Sequence, residues 1–309
     1  MKDLCQIHDI HNLPAGRQFD NSLFTMTVQD ASYYVLKQLR SIYEEGEAAQ
    51  VTDWIMEKIT GSKKTERMLY KNSILAHDEE AQLRSYTERL MQHEPVQYVL
   101  NESWFCGLKF YVDKNVLIPR PETEELVEWI ISNCKFPVDE LKILDIGSGS
   151  GCIPISLKRR LKKAEVWSCD IDSDALEVAQ KNADALGTDV NFIQLDFLDR
   201  IGRDQLPSFD IIVSNPPYVP EKDRDTMRSN VLQYEPATAL FVPDNDPLIF
   251  YKAIAEFGKE HLTPSGSIYC EIHETTGEEI ARLFSSYGYT TELKKDMQQK
   301  DRMIKAVLN

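Results

Sequence analysis

Ile211-Ile212-Val213-Ser214-Asn215-Pro216-Pro217-Tyr218 is the stretch whose reading decides the fold. A parallel strand buried on both faces reads as a continuous apolar run. Two prolines then forbid both a ladder and a helix. The residue before Pro216 is confined to extended backbone. Asn215 therefore stands as a stiffly held amide at the carboxyl end of a strand, where open α/β sheets place their ligands. Two readings remain at this point. The stretch is a strand followed by a proline-rich turn, or it is a grip on a planar NH2 group. In the second reading the Asn215 side-chain oxygen and the Pro216 carbonyl each accept one N–H, and the Tyr218 ring packs against the plane.

Around this stretch, strands and helices alternate from Lys142 onward, the pattern of a doubly wound parallel sheet. Ile143–Ile146 forms a first strand and runs into Gly147-Ser148-Gly149-Ser150-Gly151, with a helix from Ile153. Val166–Cys169 forms a second, ending at Asp170. Asp172 or Ser173 then caps a helix with Ala175, Leu176, Ala179, Ala183 and Leu186 inside. Val190–Ile193 is a third, followed by Asp196 and Phe197. The opening stretch is the fourth and Ile268–Ile272 the fifth. Tyr289–Leu293 and Met303–Leu308 close the chain as a hairpin. The polar segment from Val219 to Pro247 is long enough to be a lid or a binding loop.

The glycine loop lets a ligand approach the backbone between a strand and a helix. Its spacing departs from the Gly-x-Gly-x-x-Gly of dinucleotide folds, because the third glycine arrives one residue early at Gly151. Asp170 ends the next strand where an acid can accept both hydroxyls of a ribose. Asp196 and Phe197 end the third, where an adenine can be edge-bonded and stacked, or where Phe197 simply belongs to the core. These residues describe an adenosine pocket with no place for a pyrophosphate. S-adenosylmethionine fits that description better than NAD. Asp145 is read as holding the glycine loop rather than the cofactor's amino group, and His273 as a surface or packing residue rather than a base.

Upstream, residues 26–92 read as a helical bundle. Tyr34, Leu36, Leu39, Ile42 and Tyr43 suit one amphipathic face, and Val51, Trp54, Ile55 and Ile59 a second that ends at Gly61. Leu69, Ile74 and Leu75 suit a short third element, and Leu83, Tyr86, Leu90 and Met91 a fourth. Residues 1–25 carry no period and are expected to be a loosely ordered extension, with Met26 opening the folded unit. Residues 93–118 change period and read as a β-hairpin linker turning near Gly107. Residues 119–309 form the remaining domain. Within it Thr123 is expected to cap a helix through Ile131. Arg120 and Glu122 are expected to form either a surface ion pair or a charged turn facing the ligand.

The chain has 309 residues, a formal net charge of −15 and six scattered cysteines without a Cys-x-x-Cys pair. That length allows two domains. The cysteines fit reduced thiols in the cytoplasm, and no metal site is expected. No apolar run spans a bilayer and no signal-peptide core opens the chain. Affinity for duplex DNA rests on neutralising phosphates with Lys and Arg, so a chain this acidic is not expected to bind DNA. A monomer acting on a protein partner is expected.

Taken together, the motifs resemble those of the HemK/PrmC family of protein-glutamine N5-methyltransferases. The resemblance runs from about Glu94 to the C-terminus. Its marks are Glu94-Pro95-Val96-Gln97-Tyr98, Leu117-Ile118-Pro119-Arg120-Pro121-Glu122-Thr123-Glu124, Asp145 through Cys152, Asn215-Pro216-Pro217-Tyr218, Glu235-Pro236 with Ala239-Leu240, and Asp301-Arg302. The Asn-Pro-Pro-Tyr motif is shared with DNA amino-group methyltransferases, and the Pro-Arg-Pro-Glu-Thr-Glu turn is particular to this family. The resemblance implies an α/β fold: a seven-stranded, Rossmann-like class I methyltransferase sheet with its last strand antiparallel, beside a small N-terminal helical bundle. It implies methyl transfer from S-adenosylmethionine to the glutamine of the Gly-Gly-Gln motif in class I peptide chain release factors. By position, Gly147, Ser148, Gly149, Ser150, Gly151, Asp170, Phe197 and Asn215 go to the cofactor. Asn215, Pro216, Pro217 and Tyr218 go to the glutamine side chain, with Asn215, Pro216 and Tyr218 as the catalytic set. Two departures stand out. Asn101 occupies a usual glycine, and His273-Glu274-Thr275-Thr276 replaces a glycine and nearby glutamine.

Overall fold

The computed structural model describes residues 26–134 and 141–309. The expected extension at 1–25 lies outside the described residues. The chain divides into two compact units between Thr87 and Glu88.

The first unit is helical. It contains α1 (Val28–Leu39), α2 (Glu45–Thr60), α3 (Lys64–Arg67) and most of α4 (His77–Met91). Thr27 and Asp30 close a capping box at the start of α1, satisfying two of its free N–H groups. The buried stripe of α1 is Val28, Ala31, Val35 and Leu39, shifted from the expected one. Ile42 and Tyr43 lie past the end of α1, so the apolar period overran the helix. Gly61 terminates α2 at a φ of 66°, as its position implied. The expected third element is α3 and one turn of 3-10 helix through Tyr70. Its apolar residues Leu69 and Ile74 are exposed, at 88% and 60%, so they contribute nothing to this unit's core.

The second unit opens with the end of α4, then α5 (Val96–Leu100) and the hairpin β1 (Ser103–Phe105) and β2 (Leu108–Phe110). The hairpin turns at Cys106-Gly107, as expected. Asn101 caps α5 in the left-handed region at a φ of 51°. Glycine visits that region freely, and asparagine is among the few side chains that do so at low cost. That is why asparagine can stand where the resembled family has glycine.

After α6 (Pro121–Asn133) comes β3 (Lys142–Ile146), α7 (Cys152–Arg160), β4 (Glu165–Asp170), α8 (Ser173–Leu186) and β5 (Asn191–Gln194). The chain then runs through α9 (Arg200–Arg203) into β6 (Phe209–Ser214). The segment after β6 is not structureless. It holds β7 (Val219–Pro220), a 3-10 turn, α10 (Ser229–Tyr234) and β8 (Phe241–Val242). The last elements are α11 (Ile249–His261), β9 (Leu262–Glu271), α12 (Gly277–Ser286), β10 (Tyr289–Lys295) and β11 (Asp301–Leu308).

The main sheet has seven strands in the order β10-β11-β9-β6-β3-β4-β5. The pairs from β9 to β5 are parallel, and β11 runs antiparallel to both neighbours. This is the architecture expected from the sequence. Successive strand residues point to opposite faces. Leu144 and Ile146 therefore face a core with α11 and α12, while Ile143 faces one with α6 and α7.

The chain leaves β3 toward β4 and β5, then returns to lay β6 on the other flank of β3. The strand order reverses there, and such a point opens a crevice at the carboxyl ends. Pairing of Ile146 with Cys169 and Ser214, and of Ser214 with Cys270, sets the level. The next residues along these strands are Asp170, Gly147, Asn215 and Glu271. They form one row across the sheet edge.

Candidate active site

The glycine loop is shaped by three left-handed residues. Gly147, Gly149 and Gly151 have φ of 87°, 49° and 77°. A side chain at Gly151 would lie 2.9 Å from Ile155 and 3.2 Å from Ala179 Cβ, so this glycine packs the loop on the helices. Gly147 and Gly149 face open space. At these two positions it is the left-handed backbone that calls for glycine.

Two polar chains hold the loop. Gly149 N–H donates to Asp170 Oδ2 at 2.9 Å, and Asp172 N–H to the other oxygen at 3.0 Å. Burial raises the Asp170 carboxyl above its ordinary value, against those hydrogen bonds. Behind the loop, Ser168 donates to Asp145 Oδ2 at 2.6 Å and shares a 2.6 Å contact with Ser148. Asp145 thus reaches the loop through Ser168. Asp145 is fully buried, and its carboxyl is pushed up to about 8 by burial. Its Oδ1 and the Ser150 hydroxyl are buried without a hydrogen-bond partner.

The Asp145 shift has a measurable sign. Its folded value of about 8 exceeds the ordinary 3.8. Between those values the unfolded chain releases a proton that the folded chain keeps, so stability falls as pH rises. Below that window the contribution is fully present. The expected result is that Asp145→Asn gains stability relative to the parent as pH rises from 5 to 8 in urea unfolding of the apo protein. A constant difference would contradict it.

Asn215 is half-buried and Pro216 buried. Asn215 Nδ2 donates to Thr123 Oγ1 at 3.1 Å, and Thr123 donates to Glu271 Oε2 at 2.6 Å. Glu271 is 2% exposed, and its carboxyl is pushed up to about 7, chiefly by burial. The Tyr218 ring lies 5.9 Å from the His273 ring, tilted by 55°. Burial raises the Tyr218 hydroxyl and lowers His273. His273 Nδ1 is 2.8 Å from Thr275 Oγ1.

Several expected placements change. Thr123 is not a cap. Arg120 is the N-cap, Pro121 begins the helix, and Thr123 is its third residue with a hydroxyl spent on Glu271. Arg120 does not pair with Glu122. It meets Glu235 at 2.5 Å, whose side chain is 2% exposed. This ties the start of α6 to the segment between β7 and β8. Phe197 does not line the loop with its ring. It is 4% exposed and packs edge-on against Phe257, 5.3 Å away.

Thr123 and Glu271 were missed as site residues. Proline at the first helical position was the signal for Thr123, since it moves the cap back to Arg120. For Glu271 the signal was a carboxylate inside an apolar strand, which requires partners.

A family model for the methyltransferase small domain matches residues 123–239. A second, for the PrmC N-terminal domain, matches residues 33–100. A release factor glutamine methyltransferase from Flavobacterium psychrophilum is 43% identical over 283 residues, 91% of this chain and 99% of that protein. The chain belongs to this family. A second member, from Bacteroides thetaiotaomicron, is 41% identical over 274 residues, 88% of this chain and 97% of its own length. Among solved structures, a release-factor-specific protein-(glutamine-N5) methyltransferase from Alicyclobacillus acidocaldarius is 25% identical. It covers 65% of this chain and 99% of its own, with a TM-score of 0.41.

Release factor glutamine methyltransferases are S-adenosylmethionine-dependent enzymes, and the site fits that donor. Gly147 and Gly149 leave space against the backbone. Asp170 presents a carboxylate beside the loop. Asp145 Oδ1 and Ser150 Oγ are buried polar atoms still without a partner.

Proposed function

We propose that the protein transfers a methyl group from S-adenosylmethionine to the side-chain amide nitrogen of the glutamine in the Gly-Gly-Gln motif of class I peptide chain release factors. The observation that carries this reading is the row of Gly147, Asn215 and Glu271 on adjacent strand ends. It sets an adenosine-type loop next to a carboxamide whose NH2 is already engaged. The relatives that span nearly the whole chain carry the same activity in their names.

Gly147, Ser148, Gly149, Ser150, Gly151 and Asp170, with Asn215 and the backbone of Phe197, hold the donor in this reading. When bound, S-adenosylmethionine supplies an electrophilic methyl group on a sulfonium. An amide nitrogen is a poor nucleophile because its lone pair is shared with the carbonyl. The protein must therefore contribute orientation and local electrostatics rather than a strong base. Asn215 Oδ1 and the Pro216 carbonyl accept the two N–H groups of the glutamine, and Pro217 and Tyr218 wall its plane. Two acceptors favour the positive charge that grows on nitrogen. Alignment of reactants contributes as much as about 7–11 kcal/mol in the best intramolecular cases.

Residues 26–92 serve as the docking domain, 93–118 as the linker and 119–309 as the catalytic domain. The helical unit exposes Tyr33, Trp54, Met68, Leu69 and Ile74, apolar side chains that a protein partner could cover. Deleting residues 26–92 is expected to raise KM for the whole release factor more than for a short Gly-Gly-Gln peptide. Equal effects on both would remove the docking role. The enzyme works as a cytoplasmic monomer and does not take DNA, in keeping with its net charge of −15. Mass spectrometry of a release factor after incubation with enzyme and donor tests the whole reading. A glutamine in Gly-Gly-Gln without the added methyl would overturn it.

A further inference from the structure

We propose that Thr123 and Glu271 are positioning residues that decide which end of the Asn215 carboxamide faces the substrate glutamine. The inference rests on the reading of Asn215 as an acceptor for the substrate N–H.

A carboxamide has an acceptor end and a donor end of nearly the same size. The incoming glutamine NH2 presents two donors. If the Asn215 NH2 pointed at it, donor would meet donor and the grip would fail. Steric fit does not decide between the two orientations, so a hydrogen-bond partner must.

The partner is Thr123. Its hydroxyl has one proton and two lone pairs. Glu271 Oε2 is 2.6 Å away and buried. An ionised carboxylate only accepts, so the Thr123 proton goes to Glu271. The hydroxyl can then offer Asn215 only lone pairs, and at 3.1 Å it takes a proton from Nδ2. The chain of donors therefore runs Asn215 to Thr123 to Glu271. It turns Oδ1 away from Thr123 and toward the crevice. Three elements supply the three residues: the end of β6, the first turn of α6 and the end of β9.

The polarity depends on the charge of Glu271. A protonated Glu271 can donate to Thr123, which frees the hydroxyl to donate to Asn215 Oδ1. The amide then turns round and presents NH2 to the substrate. Charged groups close enough to act on Glu271 are Arg302 from β11, and Arg120 and Glu122 from the start of α6. Tyr218 and Tyr251 complete its surroundings, and the Tyr251 hydroxyl donates to the Glu271 backbone carbonyl at 2.9 Å. The two arginines favour the ionised form, while Glu122 and burial oppose it. The switch falls near pH 7, where the carboxyl titrates. Activity is present above that pH and fades below it.

The test compares the full-length wild type with Thr123→Val, Thr123→Ser and Glu271→Gln, using whole release factor as substrate. Thr123→Val keeps the shape and removes the acceptor. Its kcat is expected to fall by about tenfold or more, with KM for S-adenosylmethionine nearly unchanged. Thr123→Ser restores most of that loss. The wild-type kcat rises with pH through about 7, and this limb vanishes in Thr123→Val and in Glu271→Gln. Without donor, calorimetry is expected to show weaker binding of a Gly-Gly-Gln peptide to Thr123→Val. An active wild type with an equally active Thr123→Val overturns the proposal. So does an equal loss in the Val and Ser variants with the acid limb intact, which marks a packing effect. A wild type that methylates no glutamine overturns the proposed function itself, a different result from either.

Discussion

Asn215→Ala is expected to lower kcat by about 10²–10³-fold, the size of effect seen when one preorganised polar partner of a transition state is removed. In the proposed mechanism the substitution deletes the acceptor for one substrate N–H and leaves Pro216 to hold the other. It also frees the Thr123 hydroxyl, which keeps its bond to Glu271 at 2.6 Å and so remains in place. The fold should survive. Asn215 is half-buried, and its strand is anchored before it by Ser214, whose hydroxyl donates to the Ile146 carbonyl at 2.7 Å. The proposed donor pocket is built mainly from the glycine loop and Asp170, so donor affinity should weaken less than kcat. Single-turnover transfer from labelled S-adenosylmethionine to release factor, with donor binding measured separately, gives both numbers. A purified variant that transfers at close to the parent rate would remove the amide grip from the mechanism.

The strands were legible because buried parallel strands are short apolar runs, and each of the five expected between Ile143 and Ile272 lies within or overlaps a strand of the structure. The carboxyl-end residues could be named for the same reason, since Gly147, Asp170 and Asn215 each stop such a run. Their arrangement in one row was not legible. It depends on register between strands far apart in sequence, such as Ser214 beside Cys270, and no local pattern encodes that. Glu271 gained its meaning only when β9 came to lie beside β6. The Phe197 ring was open to two readings for a related reason. An aromatic after a strand end suits either an adenine or the core, and the contact with Phe257, from a helix much later in the chain, decides for the core. In the helical unit, Leu69 and Ile74 matched an apolar period yet lie exposed. Periodicity identifies an apolar face but not whether that face is covered within the unit.

Gly151→Ala and Gly149→Ala are expected to fail in different ways, although both put a methyl group on the same loop. At Gly151 the backbone sits at a φ of 77°, and the added carbon would lie 2.9 Å from Ile155 Cδ1 and 3.3 Å from Ala179 Cα. The left-handed conformation costs an L residue about 1–2 kcal/mol. Overpacking adds about 1–3 kcal/mol, because the Ala179 backbone yields less readily than the end of Ile155. The sum, about 2–5 kcal/mol, is a large part of the stability of an ordinary domain. Gly149 has a φ of 49° and open space before it. There only the conformational cost applies, about 1–2 kcal/mol. Its methyl group instead enters the space in front of the loop, and strain at this residue disturbs the N–H that donates to Asp170 at 2.9 Å. Gly151→Ala should therefore lose mainly stability in apo-protein denaturation, and Gly149→Ala mainly donor affinity in calorimetry. If Gly149→Ala bound S-adenosylmethionine as tightly as the parent, the donor would have to lie elsewhere than against this loop.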